Sequence, residues 1–363
     1  MRRIYFLSAD APPSLPADRF TVASGVPNLR TILAERAAIA AFAPDVLHAA
    51  GPAAVRLAFA LLATLKPRPK FVASDVEPMG SGFLGWLTRR ALAVADRVVT
   101  ETTAAAERVR KVGGFISLPL GGGRVGVGVA SGWESPPTLA LPPKGGGDRI
   151  QGGVAFNLPP AAKLIVCECR FDSVEPPLTA AWAFDVLKYA VPDAHLVLVG
   201  DGPARERVER FARGIAFDDF RVRFALMSPP PQGGRVRVGG GDSEPQATPT
   251  PTLPPPRGWE LFAAADIVWV TEPRGVRTLV TAMAAGKPIV AVASPDLVEV
   301  AGAAARFAPV GDKIALAAAT RELLAAPAAA AALSAAAAAR SADFAPATVA
   351  ARWAAVYDEL FRG

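Results

Sequence analysis

Three stretches in the second half of the chain carry residue types that bind anions. The first is Arg170, which directly follows the apolar run Leu164–Cys169. An arginine at the end of a strand can clamp a phosphate group, because the planar guanidinium presents its N–H donors in pairs. A salt bridge at the protein surface is the alternative role for this side chain.

The second stretch reads Leu-Val-Leu-Val-Gly-Asp-Gly-Pro over Leu196–Pro203 and continues into a helical pattern. Gly200 and Gly202 allow backbone conformations that are closed to other residues, so that a ligand can approach the main chain closely. Pro203 suits the first turn of the helix. A strand–turn–helix with a purely structural role is the alternative.

The third stretch joins an apolar segment, Asp266–Thr271, to a helical pattern that begins at Gly275. The loop between them contains Glu272 and Arg274. A helix N-terminus is a natural anion site, because its first N–H groups are free and the positive end of the helix dipole points outward. We therefore predict a diphosphate or nucleotide over Gly275, with a plain strand–loop–helix without ligand as the alternative.

Histidine and cysteine are too rare for several other chemistries. His48 and His195 lie far apart and neither belongs to a His-Glu-x-x-His pattern, which leaves little for a His-based metal site or a Ser/His/Asp hydrolase. Two cysteines exclude a disulfide scaffold and a Cys-rich zinc module. Cys167 and Cys169 alternate on one apolar strand, and we predict that they belong to the core.

The elements around these residues predict an α/β fold. A chain of 363 residues, 51% hydrophobic and 20% charged, suggests two domains with a large core. Short apolar runs alternate with helical patterns, which is typical of parallel sheets with crossover helices. We expect two doubly wound, Rossmann-like domains facing a cleft, with ligands at the carboxyl ends of the strands. The predicted strands are Arg3–Ser8, Arg19–Ala23, Asp45–Ala49, Lys70–Ser74, Arg97–Glu101, Lys163–Cys169, Ala194–Gly200, Arg221–Ala225, Asp266–Thr271, Pro288–Ala293 and Arg306–Pro309.

Two Pro/Gly-rich segments, 118–147 and 229–257, interrupt this alternation. Both contain Gly-Gly-Arg-Val-x-Val-Gly near their start, and a Pro-Pro-Lys/Arg-Gly motif comes at or near their end. Without apolar periodicity they cannot bury a core, so we predict disordered insertions. A translated inverted repeat and a natural linker are the two explanations for them. The predicted domains are then residues 1–157 and 158–363, with Pro159 and Pro160 at the junction.

Charge is concentrated in the first domain. Residues 1–115 contain fifteen Lys and Arg against nine Asp and Glu, which accounts for the whole net charge of +6. Contact with an anionic membrane or acceptor is one interpretation, and an ordinary solvated surface is the other. Nucleic acid is not expected, because basic and aromatic residues are not interleaved. Without a long apolar run or a signal peptide, we expect a cytoplasmic protein, with peripheral contact at the inner face of the membrane as a further expectation.

The order of these signals resembles the retaining glycosyltransferases of family 4, the group-1 glycosyl transferases with a GT-B fold. The resemblance covers about 163–361. Its motifs are Arg170, Leu196–Pro203, Arg221–Phe224, Ala263–Val270 and Thr281–Ala291, with looser matches at Pro44–Gly51 and Ala95–Thr102. The glycine-rich loop usual after the first strand of the family is replaced here by residues 9–13.

The resemblance implies that the second domain binds a nucleotide-diphospho-sugar and that the first binds a glycan or lipid-linked acceptor. A sugar would pass to an acceptor hydroxyl with retention, without a cofactor or metal, because basic groups and a helix N-terminus stabilise the leaving diphosphate. The residues implied at the donor are Arg170, Gly200, Gly202, Glu272, Arg274, Gly275 and Thr281. On the acceptor side we expect His48, pointing toward the cleft, and Asp75.

Two departures from the family pattern keep other functions open. The lysine usual about five residues after the arginine is absent, and Glu175 stands nearby. Of two glutamates expected eight positions apart, the second is Thr281 and the first falls on Pro273, with Glu272 one residue away. A catalytically degenerate relative that binds a glycan or partner is therefore the alternative to a divergent transferase. A nucleotide-sugar epimerase of similar fold is a third.

Overall fold

The computed structural model describes residues 1–8, 12, 15–28, 32–76, 82–113, 158–159, 161–216, 221–225 and 258–362. Both predicted insertions lie outside the described residues. The chain divides into two compact units, Met1–Ala140 with Ala342–Gly363, and Leu141–Ser341.

The first unit is built on a parallel sheet of five strands. Its elements are β1 (Arg2–Leu7), β2 (Phe20–Gly25), α1 (Ile32–Phe42), β3 (Val46–Ala50), α2 (Pro52–Leu62), β4 (Lys70–Ser74), α3 (Gly82–Ala93), β5 (Arg97–Val99) and α4 (Thr103–Gly113). The strand order is β2-β1-β3-β4-β5, with every pair parallel. The chain therefore reverses direction across the sheet between β1 and β3.

The second unit is built on a parallel sheet of six strands. Its elements are β6 (Lys163–Glu168), α5 (Glu175–Ala190), β7 (Ala194–Val199), α6 (Arg205–Ala216), β8 (Val222–Ala225), α7 (Gly258–Ala264), β9 (Ile267–Val270), α8 (Val276–Ala284), β10 (Ile289–Val292), α9 (Pro295–Ala301), β11 (Arg306–Ala308), α10 (Lys313–Ala325) and α11 (Pro327–Ser341). The strand order is β11-β10-β9-β6-β7-β8. Here the reversal falls between β6 and β9.

The chain then returns to the first unit through a final helix, α12 (Pro346–Glu359). Alternate residues of each strand face opposite sides of a sheet. On one side of the first sheet, Ile4, Val46 and Val72 pack against Trp353 and Tyr357 of α12. Leu47, Phe71 and their neighbours on the other side form a separate cluster with α2 and α3. The predicted second domain, 158–363, differs from this division, because it included α12.

The predicted alternation of strands and helices is confirmed. All eleven predicted strands are present, and each observed end lies within two residues of its predicted position. Burial explains this agreement, because most strand residues are apolar and covered on both faces, as expected for parallel sheets. Over the described ranges no single helix is long and apolar enough to span a membrane; one bent pair, Lys313–Ala325 with Pro327–Glu359, passes by length and composition.

Candidate functional site

The candidate site lies at the edge of the second sheet where β6 and β9 end. In the strand order, β7 and β8 follow β6 in one direction, whereas β9, β10 and β11 follow it in the opposite direction. Such a reversal leaves a crevice outside the carboxyl ends of the two strands, and ligands of open α/β sheets bind there. Arg170 follows the end of β6 by two residues, and Glu272 follows the end of β9 by two.

Arg170 and Glu272 bind each other across this crevice. The backbone N–H of Arg170 donates to Glu272 Oε1 at 2.9 Å, and its Nε donates to Oε2 at 3.2 Å. The Arg170 side chain is still 63% exposed, whereas that of Glu272 is 15% exposed. Asp172 approaches Arg170 Nε at 3.9 Å. The guanidinium therefore remains open to solvent, but its charge is already partly neutralised.

A second carboxyl group, Glu168, stands at the end of β6. Its Oε2 accepts a hydrogen bond of 3.0 Å from Thr278 Oγ1 on α8. Burial raises the pKa of Glu168, an effect that the hydrogen bond from Thr278 and the nearby Arg277 oppose. Glu168 is not among the predicted site residues. An acidic residue closing an otherwise apolar strand, two positions before Arg170, was the available signal.

The N-terminus of α8 forms another wall of the site. Gly275 is the N-cap and has no side chain to cap the first turn. Its own N–H donates to the Glu272 carbonyl at 2.9 Å, and a Cβ on it would lie 2.9 Å from a methyl group of Val270. A side chain at position 275 would therefore be crowded, and the N–H groups of the first helical turn lack a side-chain cap. Arg274 and Arg277 beside it are exposed.

Ser294, which is not among the predicted site residues, holds this loop in place through two hydrogen bonds. The buried hydroxyl donates to the Pro273 carbonyl at 2.5 Å and accepts from the Leu297 N–H at 3.2 Å. One side chain thus ties the loop after β9 to the start of α9. Thr281 lies further along α8, where its hydroxyl donates to the Arg277 carbonyl at 2.9 Å.

Gly200 and Gly202 contact protein backbone at the positions where a side chain would begin. A Cβ on Gly200 would lie 1.9 Å from the Cys169 carbonyl oxygen, and one on Gly202 would lie 2.5 Å from that of Arg170. Their φ angles are +137° and +154°. The close approach that these glycines permit is therefore between the loop after β7 and the loop after β6, which carries Arg170.

His48 lies in the core of the first unit, so the prediction that it points toward the cleft is wrong. It is fully buried on β3, with Nδ1 2.6 Å from the Tyr357 hydroxyl and Nε2 2.9 Å from Ser74 Oγ. Its ring packs against Trp353 at 4.6 Å between centroids. Burial lowers the pKa of His48 to about 3, which keeps the ring neutral. The helix that covers it lies some 300 residues further along the chain.

Asp75 lies just beyond the end of β4, is exposed and has a φ of +51°. Cys167 and Cys169 are buried, as predicted, with their sulfur atoms 3.5 Å apart. The hydrogen bond with Cys167, together with burial, holds the pKa of the Cys169 thiol well above its usual range. In the described part of the chain, no three His, Cys, Asp or Glu side chains are grouped so as to ligate a metal ion. Independence from metal ions stays a prediction.

Solved structures of similar fold cover nearly the whole chain. A sucrose-phosphate synthase from Thermosynechococcus elongatus matches with a TM-score of 0.70 and 18% identity, over 100% of both chains. HepE from Anabaena, solved in complex with UDP-glucose, matches with a TM-score of 0.69 and 16% identity over 99% of this chain and 100% of that one. A glycosyltransferase from Rickettsia africae gives a TM-score of 0.67 and 14% identity over 100% and 99%.

The chain has the GT-B fold. The predicted fold class is confirmed, because each unit is built on a parallel sheet and the structural neighbours are glycosyltransferases with the GT-B fold. Neither a protein-family model nor a curated protein matches the sequence. Membership of glycosyltransferase family 4 therefore stays a prediction.

Within the GT-B fold, four predicted donor residues come together in the loops after β6 and β9, namely Arg170, Glu272, Arg274 and Gly275. Thr281 lies on α8, beyond its first turn, and the two glycines lie in the neighbouring loop after β7. The acceptor-side pair differs in exposure, because Asp75 is exposed and His48 is in the core, although Ser74 Oγ lies 2.9 Å from His48 Nε2 and 3.5 Å from Asp75 Oδ2.

Proposed function

We propose that this protein is a glycosyltransferase that moves a sugar from a nucleotide-diphospho-sugar to an acceptor hydroxyl. The observation that supports this most is the meeting of Arg170, Glu272 and the uncapped N-terminus of α8 at the reversal point of the second sheet. The acceptor is a glycan or a lipid-linked sugar bound by the first unit, at the edge where Asp75 lies. We propose retention of configuration and no requirement for a metal ion.

Electrostatic stabilisation of the leaving diphosphate is the chemistry that these groups supply. The positive groups at the crevice are the exposed side chains of Arg170, Arg274 and Arg277 and the first N–H groups of α8. Donors fixed in place before the reaction stabilise developing negative charge without a cost of reorganisation. Arg170 supplies paired N–H donors that suit a phosphate.

Donor binding has to separate Arg170 from Glu272. A diphosphate competes with the carboxylate for the guanidinium, while the Arg170 backbone N–H keeps one Glu272 oxygen in place at 2.9 Å. The other oxygen is then free to accept a hydrogen bond from a sugar hydroxyl. Glu272 would therefore hold the Arg170 side chain when no donor is bound, and would bind the sugar when the donor is present.

The same ion pair favours a second candidate, a catalytically degenerate binding protein. Arg170 has Glu272 at 3.2 Å and Asp172 at 3.9 Å, and the family lysine is absent. Carboxylates beside a diphosphate repel it. The hydroxyl of Thr281, at the position of the second family glutamate, already donates to its own helix.

Calorimetric titration with UDP, GDP, ADP and their common sugar conjugates tests the proposal. We expect one nucleotide to bind the wild-type protein and to bind Arg170→Ala at least about tenfold more weakly, because a hydrogen bond to a charged group contributes about 1.5–3 kcal/mol. Arg213→Ala is the matched control, because Arg213 is an exposed arginine with a glutamate partner, on α6.

Transfer is then measured with the nucleotide-sugar that binds. Sugar transfer or slow donor hydrolysis that is lost in Arg170→Ala supports the transferase. Binding without transfer or hydrolysis would instead support the degenerate protein, and interconversion of the nucleotide-sugar without acceptor would support an epimerase. Absence of binding to every nucleotide would refute the proposed donor site.

A further inference from the structure

The outer face of α3 exposes large apolar side chains beside arginines. Phe83, Leu84 and Trp86 are 71%, 57% and 49% exposed. The rings of Phe83 and Trp86 stack with their centroids 5.7 Å apart, and the Arg90 guanidinium lies 5.9 Å from the Trp86 ring centroid. Arg89 is the next basic residue. Phe83, Trp86, Arg89 and Arg90 are called the aromatic-basic face, and Leu84 is exposed beside it.

The opposite side of α3 packs against the rest of the first unit. Gly85, Thr88, Ala91 and Leu92 are buried against the unit. Arg56 on α2 donates to Thr88 Oγ1 at 3.0 Å. The helix is therefore anchored without using the aromatic-basic face, which it presents outward.

The charged residues of α3 itself are both positive. Residues 78–95 contain Arg89 and Arg90 and no Asp or Glu, whereas Asp75 and Glu77 precede the helix in sequence. Arg68 reaches the end of α3 and donates to the Val94 carbonyl at 2.9 Å. The nearest acidic residue after the helix is Asp96, whose carboxylate is bound by Lys70 at 3.4 Å and by the Phe71 N–H at 2.7 Å. A partner for this face has to combine an apolar interior with negative charge.

A second exposed apolar stripe also has cations beside its rings, with Lys313 Nζ 4.5 Å from the Trp182 ring centroid and Lys188 Nζ 5.1 Å from that of Tyr189. On α5, Trp182, Val186 and Tyr189 are exposed at helical spacing. That helix contains Glu175 and Asp185 against Lys188, a net charge of −1. The two stripes differ in the net charge of their helices, which is +2 for α3 and −1 for α5, so the α5 stripe serves as a control for net charge.

We propose that the aromatic-basic face docks the protein on the surface of an anionic phospholipid bilayer. Tryptophan and phenylalanine side chains insert at the level of the headgroups, while arginines bind anionic lipid phosphates. Because α3 follows β4, its aromatic end lies toward the sheet edge where strands of the first unit end, close in sequence to Asp75. Docking in this way would bring that edge to the membrane. This inference is independent of the proposed transfer activity.

Flotation of the full chain with lipid vesicles tests the proposal. The vesicles contain either phosphatidylcholine alone or equal parts of phosphatidylcholine and phosphatidylglycerol. We expect binding to the anionic vesicles that falls about 25-fold in Arg89→Gln/Arg90→Gln, since each basic residue near the surface contributes about 1 kcal/mol, or about fivefold. Added salt should weaken wild-type binding in the same direction.

The apolar contribution is tested separately. Phe83→Ser/Trp86→Ser should reduce binding at least about tenfold, because two large side chains no longer leave water. Tyr189→Ser, on the α5 stripe, should bind like the wild type. Circular dichroism checks that each variant is folded.

Three outcomes would overturn the proposal. Wild-type protein that ignores anionic vesicles is the first, and vesicle binding retained in Phe83→Ser/Trp86→Ser is the second. The third is self-association, measured by light scattering, that the same variant abolishes while vesicles are not bound. That result would assign the face to a contact between copies of the chain.

Discussion

Substitution of Gly200 by alanine should destabilise the second unit strongly. The new Cβ would lie 1.9 Å from the Cys169 carbonyl oxygen, about 1.5 Å closer than ordinary contact. Neither the Cβ, which is attached directly to the main chain, nor the backbone carbonyl can rotate away. A φ of +137° costs a further 1–3 kcal/mol or so for a residue with a side chain. Separation of the loops would also strain the hydrogen bond between the Cys169 N–H and the Val199 carbonyl, 2.8 Å long and worth roughly 1 kcal/mol.

Together these effects predict a loss of about 3–5 kcal/mol in the free energy of unfolding, a large part of the ~5–15 kcal/mol typical of a domain. Urea unfolding followed by tryptophan fluorescence, to which the buried Trp269 of the second unit contributes, measures it. Gly214→Ala is the control. Gly214 lies on α6 with open space around its Cβ position, so alanine should stabilise the helix by ~0.5–1 kcal/mol.

An unchanged urea midpoint in Gly200→Ala would refute the contact between the two loops. If that variant kept its stability and lost only nucleotide affinity, the glycine would instead serve the ligand, as the sequence pattern alone had suggested.

Two further predictions concern buried titratable groups. Because burial lowers the pKa of His48 to about 3, the unfolded chain takes up a proton near pH 6.5 that the folded chain refuses, so stability should fall by about 2 kcal/mol between pH 7 and 5. Urea titrations at both pH values should show this loss in the wild type and not in His48→Leu. An imidazole NMR signal that titrates near pH 6.5 in the folded wild type and is missing from His48→Leu would contradict it. Cys167 and Cys169 should not react with a thiol reagent in the native protein and should both react in denaturant, because they are buried and the Cys169 pKa is raised. Rapid labelling of the native protein would contradict that burial.

The sequence predicted the strands well because their signal is local. A buried parallel strand is a short apolar run bounded by glycine, proline or charge, and both the run and its limits are visible without the rest of the fold. The loops after β6 and β9 followed from the same information, because in a parallel sheet the residue after a strand must lie at the carboxyl edge. Arg170 and Glu272 were placed correctly at that edge for this reason.

Long-range packing was the part that the sequence did not reveal. His48 alternates with Leu47 on β3, so the pattern shows that they face opposite sides of the sheet and not what covers each side. The cover comes from Tyr357, on a helix far along the chain. Gly200 was recognised as a close-approach glycine, but its partner, the Cys169 carbonyl, belongs to a different loop.

The return of the chain to the first unit has a consequence for biosynthesis. Ile4, Val46, Val72 and Val99 form one side of a sheet whose cover, α12, is translated only after the whole second unit. During synthesis this apolar surface is bare for the time needed to make more than 200 residues, and the ion pairs from Arg2 and Arg97 to α12 cannot form. Until then the nascent first unit exposes apolar side chains that favour aggregation, whereas the residues of the second unit are continuous in sequence. The core of the first unit, whose strands are made first, is therefore completed by α12, the last helix to be made.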